Sequence, residues 1–132
     1  KRIHEMKNVF FYLGLGTLFT HELDAVSNHE WRVLPILRSL PEMSAMNAFV
    51  LLHIPIFAVV VALVASPDKR LRERSRLGVS VFLIVHAVLH LWYAGEATYE
   101  FSSALSRVLI FGGAVFGVLH ISGSYRGIGE VQ

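Results

Sequence analysis

Residues 43–66 read "MSAMNAFVLLHIPIFAVVVALVAS", a run with no Asp, Glu, Lys or Arg. A stretch this long and apolar constrains the chain more than any other feature. Hydrocarbon offers no partner to backbone polar groups, so such a run crosses a bilayer as a helix, which needs roughly 17–25 residues to span about 30 Å. Two further runs meet that length: 77–94, "LGVSVFLIVHAVLHLWYA", and 104–122, "ALSRVLIFGGAVFGVLHIS". Composition agrees, with 54% hydrophobic and 17% charged residues against about 45–50% and 25% in soluble domains. A soluble protein of 132 residues would need a polar outer face on every helix, and most of this chain lacks one.

A fourth span is shorter. The uncharged run "VFFYLGLGTLFT" covers 9–20 and makes only about 18 Å of helix at 1.5 Å per residue. To cross a bilayer this helix must continue through His21, Glu22 and Asp24 to about Val26. The expected fold is therefore all-α, an integral membrane four-helix bundle forming one domain, with spans near 8–26, 43–66, 77–94 and 104–122. The start "KRIHEMK" before an apolar run is like a signal peptide. No small-residue cleavage pattern follows, so the run reads as a retained span.

Basic residues set the expected orientation. Lys1, Arg2 and Lys7 precede the first span, and Lys69, Arg70, Arg72, Arg74 and Arg76 lie between the second and third. The first–second link has only Arg32 and Arg38, and the third–fourth link has none. The positive-inside rule then places both termini in the cytoplasm, in what reads as a bacterial inner (plasma) membrane. These cations sit beside apolar blocks, where they meet lipid head groups rather than nucleic acid. In the first outer link, "WRVLPILRSLP", Trp31, Val33, Leu34, Ile36, Leu37 and Leu40 are expected at the interface, with Pro35 and Pro41 keeping any helix short. Trp31, Trp92 and Tyr93 read as aromatics of the interfacial belt.

This topology gathers ionisable groups on the outer side. His21, Glu22 and Asp24 end the first span. His53 lies in the outer half of the second, and His86 and His90 in the outer half of the third. Thr17, His21 and Asp24 share a helix face, as do His86 and His90, one turn apart. His53 and His86 fall at similar depth, about 10 Å below their outer ends. Ionisable residues at this depth cost about 2.5–3.5 kcal/mol each on insertion scales, so their convergence calls for a use.

With no cysteine, disulfides, thiolate metal sites and thiol nucleophiles are excluded. Imidazole and carboxylate remain, and these are ligands for zinc and non-haem iron. The expected metal ligands are His21, Asp24, His53, His86 and His90, with Asp24 and Glu22 as acid–base groups and Thr17, Asn47, Tyr93 and Glu96 around them. His29, Glu30, Glu96 and Glu100 lie in links, where solvated charge is the default. Arg107 is a partner for Asp24, Glu96 or Glu100, or else reaches outward to water. His4, in the N-terminal tail, and His120, near the inner end of the fourth span, are expected to be ordinary polar residues. The Ser106, Gly113, Gly117 stripe is expected to pack helices closely.

The segment "HELDAVSNHEWRVLP" resembles the signature of small bacterial membrane proteins of the HXXEE family, in which a His and two acids three and four residues later close the first helix. His21 and Asp24 match the His and the first acid; Ala25 stands in place of the second. The resemblance implies a compact multi-span bundle and no established activity.

The expected function is a metal site, zinc or iron, acting on a small apolar or lipid-like molecule that enters from the bilayer. Two alternatives stand beside it. In one, haem b is held by His53 and His86 for electron transfer. In the other, a metal ion or proton is transported or delivered along His21, Asp24 and His86, with a homo-oligomer supplying the inner half of the path.

Overall fold

A computed structural model describes the backbone of residues 2–129 and the side chains of residues 6–125. The side chains of Lys1, Arg2 and His4 lie outside the described residues. Four long helices account for most of the chain: α1 (Arg2–Ser27), α2 (Glu42–Val64), α3 (Lys69–Tyr93) and α4 (Ala104–Gly129). There is no strand among the described residues. Three segments, Glu42–Val64, Lys69–Tyr93 and Ala104–Tyr125, are long and apolar enough to cross a membrane.

Helix α1 does run through the polar cluster and stops at Ser27. Helix α3 starts earlier than hydropathy suggests, taking in the basic segment 69–76 as two extra turns. The local chemistry explains this. Asp68 caps the helix by accepting from the backbone N–H groups of Arg70 and Leu71 at 2.7 and 3.0 Å, and Arg, Lys, Glu and Leu are good helix formers. Only Ala65–Asp68 then connects α2 to α3.

Helices α1 and α4 lie antiparallel and close, because small residues line their seam. A Cβ on Gly14 would meet Leu83 and Phe116, and one on Gly113 would meet Leu83 and Thr17. At Gly117 an added Cβ would come 2.6 Å from the Ser80 carbonyl oxygen, so α3 and α4 approach backbone to side. This accounts for two of the three stripe positions as packing, and Ser106 is fully buried with them. Helix α2 stands apart. Only Ala45, Phe49 and Val64 of its residues are buried, and its remaining apolar surface is exposed, as suits a helix facing lipid.

The first link folds inward rather than lying flat. It forms two short 3-10 turns, Glu30–Arg32 and Leu37–Ser39, with Pro35 between them and Pro41 closing the segment. Contrary to its expected place in an interfacial belt, Trp31 is 2% exposed and Val33 4%. Trp31 packs with Ala25, Ala45, Phe49, Ala87, Phe101 and Ile110 in the main buried cluster, and its Nε1–H donates to Glu42 Oε1 at 2.9 Å. A buried indole keeps a partner for its N–H, which Glu42 at the start of α2 supplies. Ile36 (80% exposed) and Trp92 (81%) stay outside.

Candidate metal centre

The inward fold of the first link creates the site. Asn28 ends α1 with its side chain donating to the Asp24 carbonyl at 2.8 Å. His29 then takes φ 51°, ψ 46°, the left-handed region, the one positive-φ non-glycine residue described. Histidine is among the residues that tolerate this conformation. The reversal carries Glu30 back beneath the end of α1, where its side chain is 12% exposed. The expectation of a solvated Glu30 is thereby overturned: a tight backbone reversal, rather than the link's sequence polarity, decides its burial.

There Glu30 meets three imidazoles. His21 (α1), Glu30 (first link), and His86 and His90 (α3) each offer one ligating atom, all within 4.8 Å of one another. His86 Nε2 and His90 Nε2 are 3.2 Å apart, and His21 Nε2 lies 3.7 Å from Glu30 Oε2, an ion-pair separation too long for a hydrogen bond. His21 is 1% exposed, His90 5% and His86 9%. The rings are set edge to face, with His21 centroids 4.8 Å from His86 and 5.0 Å from His90.

The fit to a metal follows from the donors themselves. Zinc bonds of 2.0–2.2 Å in a tetrahedron put neighbouring donor atoms about 3.3–3.5 Å apart. The His86–His90 and His21–Glu30 pairs bracket that spacing, and the 4.8 Å limit on the widest separation exceeds it by about 1.3–1.5 Å. Both ring nitrogens of His21 and Glu30 Oε2 are buried with no hydrogen-bond partner. Buried polar atoms are almost always satisfied, so bare donors within this group are compatible with a ligand site.

Neighbouring residues hold the donors in place. His90 Nδ1 lies 3.1 Å from the Tyr99 hydroxyl; with Nδ1–H donating there, Nε2 keeps its lone pair for an ion. Phe101, 2% exposed, packs on His90 and His21 at centroid distances of 4.7 and 5.5 Å. Burial pushes the Glu30 carboxyl up, but the adjacent His21 ring and the imidazoles of His90 and His86 outweigh it and hold the group below its ordinary value. Burial raises the Tyr99 phenol, with Glu30 adding to it. Neither Tyr99 nor Phe101 stands out in the sequence, because both reach the site from the second link.

A salt-bridge clasp closes this end of the bundle. Arg32 donates to Glu42 at 3.0 Å and to Glu100 at 2.7 Å, and His29 Nδ1 lies 2.8 Å from Glu100. The His29 hydrogen bond, followed by Arg32, keeps the Glu100 carboxyl below its ordinary value. Arg32 thus takes the role considered for Arg107, which is exposed.

The other expected site residues fall elsewhere. His53 is separate from the four-residue group. Its Nε2 lies 2.8 Å from Glu22 Oε2 and its Nδ1 2.6 Å from the Phe49 carbonyl. The two histidines considered as haem ligands thus belong to different local groups. Asp24 is outside the metal-ligating group, with Oδ2 buried and unpartnered; Glu30 supplies the carboxylate instead. Thr17 donates to the Leu13 carbonyl at 2.7 Å within the α1–α4 seam. Asn47 and Glu96 are exposed, and Tyr93 is half-buried. His120 is satisfied at the opposite end, 2.7 Å from the Ser80 hydroxyl.

A cavity of about 520 Å³ adjoins the group. Glu22, His53, Glu30, His86 and His90 all line it, and the rest of its wall is chiefly aliphatic and aromatic residues of α1, α2 and α3. Leu52, Ile56, Phe82 and Leu89 line it while remaining 43–50% exposed, so it opens sideways between α2 and α3.

No curated protein and no solved structure matches the chain. A family model covers residues 7–126, nearly its whole length, and the chain belongs to that family, DUF6713, a family of unknown function.

Proposed function

We propose that the protein is a membrane-embedded metalloprotein in which His21, Glu30, His86 and His90 hold one zinc or iron ion beside a cavity open to lipid. The observation carrying this reading is the convergence of four potential ligand atoms from three chain segments within 4.8 Å, those of His21 and Glu30 buried without a hydrogen-bond partner. Three histidines and a carboxylate suit either metal. A bound ion would polarise an oxygen of a small apolar or lipid-like substrate reaching it from the cavity. The residues' own contribution is to exclude water, to orient the donors through Tyr99 and Phe101, and to keep Glu30 ionised. The cluster of Lys69, Arg70, Arg72, Arg74 and Arg76 lies at the opposite end from the site, which supports a cytoplasmic basic end and a site near the outer face of a bacterial plasma membrane.

Metal content of the purified protein tests this reading. One zinc or iron per chain is expected in the parent, with loss in the His86→Ala, His90→Ala double variant. A parent that carries neither metal, and takes up neither on addition, would overturn it.

A further inference from the structure

The cavity has a second polar feature that the metal group leaves unused. Glu22 and His53 form a pair on its wall, with side chains 15% and 20% exposed. The geometry fixes the pair's proton count. The Phe49 carbonyl can only accept, so His53 Nδ1 carries a hydrogen. His53 Nε2 and Glu22 Oε2 at 2.8 Å then need one proton between them. It resides on the ring, facing a carboxylate, or on the carboxyl, facing a neutral ring. Either way the pair is joined by one shared proton in a low-polarity setting.

The cavity's shape limits what meets that proton. Its wall runs from Phe49 to Val60 on α2 and from Gly78 to Tyr93 on α3, about 16 and 22 Å along the two axes. The ionisable groups lie toward the Tyr93 end. Beyond them the lining is apolar, with Phe57, Val60, Val79 and Phe82 among the residues at the far end. Its volume falls within the roughly 300–1,000 Å³ range of single-ligand pockets.

We infer that the cavity binds one elongated, single-chain apolar molecule ending in a hydroxyl or carbonyl oxygen, with the Glu22–His53 pair as the hydrogen-bonding group at that oxygen. The inference rests on the metal reading above, which gives the oxygen its second partner. The tail lies between α2 and α3, entering through the lateral opening.

Native mass spectrometry of the zinc-loaded protein in detergent tests the inference, with 1-dodecanol, dodecane and cholesterol as probes. One dodecanol per chain is expected, at least tenfold tighter than dodecane, and no cholesterol. Gly78→Phe should weaken dodecanol at least tenfold with zinc retained, since a Cβ there meets nothing within 4 Å and the ring has open cavity to fill; Val60→Trp, from the facing helix, should do the same. Glu22→Gln should weaken dodecanol several-fold, and dodecanol should shift the ¹⁵N resonance of His53 Nε2 in the parent. Zinc binding with dodecanol no better than dodecane, or dodecanol binding untouched by both cavity-filling variants, overturns the inference and leaves the metal reading standing. Saturable dodecanol binding in a protein that takes up neither zinc nor iron overturns the metal reading and, with it, the oxygen's second partner.

Discussion

Replacing His21 and Glu30 together should stabilise the metal-free protein, although replacing His21 alone should destabilise it. His21 Nε2 and Glu30 Oε2 face each other at 3.7 Å with side chains 2% and 12% exposed, and neither has a hydrogen bond. Each buried unsatisfied polar atom costs about 1–3 kcal/mol. His21→Leu alone leaves the Glu30 carboxylate buried without its nearest polar neighbour, a loss of about 3–5 kcal/mol, the range seen when a buried charge loses its partner. Glu30→Met alone removes the charge and leaves the His21 nitrogens as bare as before, so it should change stability by less than about 1 kcal/mol. Joint replacement by apolar residues of similar size removes both liabilities, and comparable swaps gain about 1–4 kcal/mol. Reversible unfolding in mixed detergent micelles, with and without chelator, measures all four corners of the cycle. Zinc at about a thousand times its Kd should stabilise the parent by about 4 kcal/mol and leave the double variant unmoved. A double variant less stable than the metal-free parent by more than about 1 kcal/mol would show that the two side chains serve packing, and the reasoning would fail.

Other outcomes follow from the same geometry. Glu30 has a folded-state pKa below its ordinary 4.5, so its contribution to metal-free stability is present above that value and disappears as pH falls through the lower, folded one; an acid titration of stability should lose this component in Glu30→Gln. Trp31→Phe should cost about 0.5–1.5 kcal/mol through the lost bond to Glu42, whereas Trp31→Ala should cost about 3–5 kcal/mol; equal effects on denaturant midpoints would contradict its place in the core. Gly117→Ala should cost about 1–3 kcal/mol because its Cβ would press on the Ser80 carbonyl, while Gly112→Ala meets open space and should be neutral or better; the pair can be compared by thermal unfolding.

The helices were legible from hydropathy because a bilayer-length apolar run has few other ways to satisfy its backbone. The extension of α1 through His21, Glu22 and Asp24 followed from the same length argument. The start of α3 was missed because residues 69–76, all charged or polar except Leu71, read as a link, although Asp68 is an N-cap signal visible in the sequence. Within the site, helical spacing paired His86 with His90, and convergence at the outer ends of the spans added His21. Spacing favoured Asp24, which shares the His21 face, and left Glu30 as a solvated link residue. The inward place of Glu30 depends on the left-handed backbone at His29. The Asn28–His29 pair, two residue types that favour positive φ, was the available hint. His53 shares the cavity but faces Glu22, because α2 stands off from the helices that carry the other histidines. Tyr99 and Phe101 are tertiary contributions from a link that no helical period describes.

X-ray absorption at the metal edge of the loaded protein most directly tests the central claim. Three imidazole nitrogens and one carboxylate oxygen at about 2.0–2.2 Å are predicted, with the oxygen lost or replaced by water in Glu30→Gln. A coordination shell of oxygens alone, or one unchanged by removing Glu30 and His90, would contradict the assignment.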